Sequence, residues 1–288
     1  MTDTTEPVAA HSVAVLDYGM AGPYAVAFGP GGDLWVTLVN TGELVRRSPD
    51  GCERRFTIGE RPGQLTVTSE ATWCAVTGAD RIAIITSDDR LNFIDVPGGP
   101  YGIAAVGPDA WVTLMQDNKL AVVGRDGIRS EAAVPLDGAY PAMATPHRDG
   151  SVWVSLNQRG ALARWDAAGD TALITLPDGA APVGIAAAGE HVWSADIARG
   201  SILRVDGDLH VSDFALAPDS RPHAVIADDT GCWFTEWGAN RLGRITAEGD
   251  LAEFDLSGIG EEPHGLALDG DGVVWIAFES GVVAGIRP

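Results

Sequence analysis

The chain has 288 residues, 45% of them hydrophobic and 9 of them Trp, which is enough to bury a large core. A formal net charge of −21, with Lys119 the lone lysine, repels phosphate backbones and sets nucleic acid aside as a partner. No apolar run reaches the roughly 20 residues that cross a bilayer, and the acidic start Met1-Thr2-Asp3 lacks the basic region of a secretory signal.

In chain order, the first strand-like run is Ser12–Asp17, which leads into Gly22-Pro23. A unit of about forty residues begins at that proline. It opens with a short apolar strand, Ala25–Phe28, then a Gly/Asp turn and a Trp strand, Leu34–Leu38. A third strand, Gly42–Arg46, and a fourth, Phe56–Ile58, complete it. The unit then recurs. Trp stands at 35, 73, 111, 153, 193, 233 and 275, and a proline precedes each by 11 or 12 residues, at 23, 62, 100, 141, 182, 222 and 263. Two markers in phase over seven copies predict an all-β fold, a single seven-bladed β-propeller spanning residues 1–288, with four strands per blade.

Cys74 follows Trp73 and Cys232 precedes Trp233, where small buried hydrophobes belong. With Cys52 they form neither a disulfide framework nor a metal knuckle, so a reducing cytoplasm is expected; the chain is also expected to be a monomer. After Trp275 only one more strand follows, Val282–Ile286. Blade seven therefore needs a fourth strand, and Ser12–Asp17 supplies it, closing the ring and removing its free edges.

The first strand of a blade lies innermost, so the residue after each proline is expected at one mouth of the central channel. These residues are Tyr24, Gly63, Tyr101, Ala142, Val183, His223 and His264. Residues three or four past each Trp are expected at the same rim. Two neighbouring blades thus place His at equivalent positions, and imidazole exchanges a proton near neutral pH. Glu262 precedes His264 by two residues and Glu279 follows Trp275 by four. Two carboxylates with open positions beside them form a hard oxygen site suited to Mg²⁺. Glu236 and Asp196, three past their Trp, read either as further rim carboxylates or as turn residues; His11, His147, His191 and His210 fall off the mouth and read as surface.

These residues give the chain its resemblance to the virginiamycin B lyase family. The resemblance rests on Arg221-Pro222-His223-Ala224, on Trp233-Phe234-Thr235-Glu236-Trp237-Gly238-Ala239-Asn240-Arg241, and on Glu262-Pro263-His264-Gly265 followed by Glu279. It implies a lyase that linearises cyclic depsipeptide antibiotics of the streptogramin B type by elimination at a threonyl ester. It also implies Mg²⁺ on Glu262 and Glu279, His264 as general base and His223 as a substrate contact. Tyr24, Tyr101 and Trp237 either offer aromatic surface to that substrate or serve blade packing. Two other readings stand beside it: a metal-dependent lactonase, and a non-catalytic propeller that binds a ligand or protein.

Overall fold

A computed structural model describes residues 7–166 and 168–287. The short β-branched and aromatic runs pair into seven sheets, each built on an antiparallel meander with tight turns; six run in chain order, and blade seven takes its outer strand from the chain start. Blade six, for example, comprises Pro222–Asp228, Gly231–Glu236, Arg241–Thr246 and Leu251–Asp255. Each first strand packs on that of the next blade, and Pro263–Leu268 of blade seven packs on Pro23–Phe28 of blade one, so the ring is closed. The resulting seven-bladed β-propeller encloses a channel whose interior is apolar, with a cavity of about 350 Å³ lined by residues such as Val26, Leu65, Ile103, Ile185 and Val225.

The repeating Trp forms the seam between blades. Trp35, Trp73, Trp153 and Trp193 are buried among apolar residues of their own and adjacent blades. Burying one such side chain is worth roughly 2–3 kcal/mol. In blade five, Phe214 stacks on Trp193 at 6.0 Å and the Arg204 guanidinium lies 5.8 Å from the same ring. Cys74 and Cys232 are buried and Cys52 is exposed, all three as free thiols.

Ser12–Asp17 pairs antiparallel with Val282–Ile286 and completes blade seven. The chain start does more than the repeat foretells: before it, Val8–Ala9 adds in parallel to the outer edge of blade six at Phe254 and Asp255. The same segment therefore straps two blades together and covers two edges. Leu16 and Tyr18 pack on the blade-seven/blade-one core. Removing residues 1–19 is expected to cost a few kcal/mol, lowering the melting temperature by roughly 5–10 °C and promoting aggregation. An unchanged melting temperature and a monomeric elution profile would contradict this closure.

Candidate active site

One local device builds the channel mouth. The residue before the leading proline adopts a left-handed conformation at Arg61, Tyr140, Arg221 and Glu262, with φ of 52°, 53°, 43° and 59°. Its carbonyl is thereby turned to accept the N–H of the residue four past the blade's Trp. In blade seven this joins Glu279 N–H to the Glu262 carbonyl at 3.1 Å, and in blade six Trp237 N–H to Arg221 at 3.2 Å. After each proline the pairing with the second strand then slips, as between Pro222 and Val225 and between Pro263 and Leu266. A bulge of this kind releases the residue after proline from the ladder and re-aims its side chain.

In blade seven the released residue is His264. Its carbonyl accepts a hydrogen bond from Thr235 Oγ1 of blade six at 2.8 Å, and the same hydroxyl accepts Ala224 N–H at 3.1 Å. Gly265 must be glycine, because a Cβ there would stand 2.7 Å from the Tyr24 carbonyl of blade one. That close approach brings three aromatic rings together. Tyr24 lies 4.6 Å from the His264 ring, and His223 meets it edge-on at 4.4 Å. Trp237 stands 6.4 Å away. Tyr101 of blade three reaches over Gly63 of blade two, and its hydroxyl hydrogen-bonds that of Tyr24 at 2.5 Å.

His264 Nε2 faces Glu279 Oε1 at 3.0 Å. That hydrogen bond, and beyond it the charge of the imidazole, holds the Glu279 carboxyl below the usual range against the opposing effect of burial; the Glu262 side chain touches it as well. Burial, reinforced by the neighbouring His264, pushes His223 down to about 3, so this imidazole is neutral at physiological pH. Burial also raises the Tyr24 and Tyr101 phenols, which remain neutral hydrogen-bonding groups. Nδ1 of both histidines is buried without a partner, which leaves His264 Nε2 as the ring nitrogen turned to the carboxylates.

Two clefts flank this centre. One, of about 530 Å³, spreads over blades one to three and is bordered by Tyr24, Tyr101, Tyr140, Met115 and Glu279. The other, of about 670 Å³, lies between blades six and seven against Arg221, Trp237, Asn240, Glu261 and Glu262. All seven residues singled out in the sequence (Tyr24, Tyr101, His223, Trp237, Glu262, His264 and Glu279) thus gather at one mouth or border its clefts.

The carboxylates of Glu262 and Glu279 touch, one exposed and the other one-third exposed, with no guanidinium or ammonium paired to either among the described residues. Two adjacent hard oxygens open to solvent fit a cation that keeps much of its hydration, which is the habit of Mg²⁺. Among the described residues no three His, Cys, Asp or Glu side chains converge as a complete metal cage, so the donor set does not match a closed Zn²⁺ site.

Residues three past the Trp do not join the rim. Glu236 and Asp196 are fully buried, because they sit opposite the leading proline on the inward side of the pleat. Asp196 accepts the N–H groups of Ala181, Ala198 and Arg199 and thereby caps its turn. His147 and His191, expected at the surface, are half-buried, while His11 and His210 are exposed. Thr235 was legible but not singled out: Thr37, Thr113 and Ser155 hold the matching place, two past the Trp.

The model of the Virginiamycin B lyase family matches residues 9–286. The chain is 36% identical over 216 residues to virginiamycin B lyase of Nocardia farcinica (strain IFM 10152), covering 73% of this chain and 76% of that one. The crystal structure of virginiamycin B lyase from Staphylococcus aureus superposes with a TM-score of 0.89 at 28% identity, over 96% of this chain and 98% of that one. A catalytically inactive histidine-to-alanine form of the Staphylococcus aureus enzyme, solved with quinupristin, gives a TM-score of 0.88 at 28% identity over 96% and 99%. No helix among the described residues is long and apolar enough to cross a membrane.

Proposed function

From the premise that the chain belongs to the virginiamycin B lyase family, and is a lyase as its relatives are, we propose that it opens cyclic depsipeptides of the streptogramin B type by elimination at their threonyl ester. The observation that carries this reading is the contact of His264 Nε2 with Glu279 at 3.0 Å, beside Glu262 and between two clefts wide enough for the arms of a macrocycle.

The Cα–H of an esterified threonine is acidified by its own carbonyl, and the ester oxygen sits on Cβ. His264 takes the Cα proton as general base at Nε2, once this nitrogen has given up its hydrogen bond to Glu279 and the proton of the neutral ring sits on Nδ1. The released electron pair forms the Cα–Cβ double bond, the Cβ–O bond breaks, and the departing carboxylate needs no proton. The captured proton is then held at Nε2 against the Glu279 carboxylate, whose charge stabilises the imidazolium. Glu262 and Glu279 would hold Mg²⁺, which when bound supplies a Lewis acid that draws electron density from the carbonyl beside the reacting carbon. His223, buried and neutral, contacts the substrate and, being uncharged, does not compete with the cation for the two carboxylates as an imidazolium would. Tyr24, Tyr101 and Trp237 present ring faces and edges to an apolar cyclic peptide.

Elimination adds no atoms. Incubation with a B-type streptogramin and Mg²⁺ is expected to give a linear product of unchanged mass that absorbs as a dehydroamino acid. In ¹⁸O-labelled water it should carry no label. A product heavier by one water would replace this reading with a lactonase.

A further inference from the structure

Glu236 is the buried titratable group for which the proposed mechanism has no use. Its side chain is fully buried, and among the described residues no N–H or hydroxyl group donates to either carboxyl oxygen; the Glu253 carboxyl is the group set against it. The fold does not require an acid there. The positions opposite the leading proline in the other blades hold Leu38, Val76, Leu114, Leu156 and Phe278, and the one exception, Asp196, accepts three backbone N–H groups at Oδ1 and faces Arg199 Nε at 3.4 Å through Oδ2. A buried carboxyl without an N–H or hydroxyl donor costs stability that leucine would not, and such departures from the local rule concentrate at functional sites.

The surroundings say what it acts on. The Glu253 carboxyl, from the outer strand of blade six, faces it. Asp219, from the loop before the blade, adds negative charge, and Arg241 on the third strand is the opposing cation, 3.7 Å from Glu253. Directly after Glu236 comes the turn that carries Trp237, tied to the preceding loop by Trp237 N–H to Arg221 and Gly238 N–H to Ser220. That turn is packed closely on the preceding loop: a Cβ on Gly238 would stand 2.2 Å from the Asp219 carbonyl. Trp237, Asp219 and Glu262 line the same cleft.

We infer that Glu236 is a positioning residue: its buried carboxyl, set against that of Glu253, fastens the turn that walls the cleft beside Glu262 and releases it when Glu236 ionises. Its effect on catalysis rests on the proposed binding of depsipeptide in that cleft. Burial first, and then the charge and contact of Glu253, push Glu236 up to about 8. Raised above its unfolded value of 4.5, the group contributes stability that is complete below that pH and is lost as the pH rises through about 8.

The test compares wild type with Glu236→Gln, which cannot ionise, and with Glu236→Leu, the residue three other blades carry. The melting temperature of Glu236→Gln minus that of wild type is expected to grow by roughly 5 °C from pH 5 to pH 8 and then level. Accessibility of Trp237 to acrylamide, isolated as the difference from Trp237→Phe, should rise across the same range in wild type and stay flat in both variants. With streptogramin B as substrate, the wild-type KM should rise at least about threefold above pH 8 with kcat little changed, and the variants should lack that rise. A melting difference that does not vary with pH overturns the inference. So does a melting difference that titrates while Trp237 accessibility does not. Titrating accessibility with no turnover of any cyclic depsipeptide upholds the positioning role and removes the lyase reading instead.

Discussion

Replacing His264 with alanine is expected to lower streptogramin B turnover by roughly 10²–10⁴-fold, the range that a positioned general base supplies. The loss should fall on kcat, because the base acts only as the Cα proton leaves. The fold should persist. Thr235 bonds the backbone carbonyl of residue 264, which alanine retains, and Gly265 keeps the blade-seven contact with Tyr24. Glu262 and Glu279 remain in place, so Mg²⁺ binding measured by calorimetry should be nearly unaltered. The vacated space, bordered by Tyr24, His223 and Glu279, offers free imidazole a seat, and partial rescue by imidazole would tie the defect to the missing base. Wild-type turnover in a folded His264→Ala protein would eliminate the assignment.

Chelation is expected to have an effect of similar size. EDTA should abolish turnover, and Mg²⁺ or Mn²⁺ should restore it, because two adjacent carboxylates with no guanidinium or ammonium paired to them among the described residues are poised for a hard dication. Stabilising the charge that develops on a carbonyl by about 4 kcal/mol corresponds to roughly 10³-fold in rate. Glu262→Gln and Glu279→Gln should each weaken Mg²⁺ binding and reduce turnover. Glu279→Gln should lose more, since it also removes the carboxylate that His264 Nε2 meets at 3.0 Å. Restoration by Zn²⁺ alone, with His264 among its ligands, would refute this arrangement, because a ligated imidazole cannot take the proton.

The sequence by itself determined the ring and the addresses within it. The alternation of Pro, apolar strand and Trp is a local code: each strand pairs with its chain neighbour across a short turn, so phase along the chain becomes place around the channel. His223 and His264 were legible as equivalents for that reason, as was the use of Ser12–Asp17 to complete blade seven. Tertiary structure alone decided which way side chains face where the ladder is interrupted. The bulge after each proline turns His264 out of its pleat, whereas Glu236, one residue short of the rim position held by Trp237, is driven inside. Period-two alternation predicts sides only while the register runs unbroken. The fold likewise decided contacts between residues far apart in sequence. Tyr101 meets Tyr24 because the intervening blade offers Gly63 at the mouth, and Val8–Ala9 finds the edge of blade six because closing blade seven delivers the chain there. Repeats fix what is near in sequence; the centre of a closed ring is where residues distant in sequence meet.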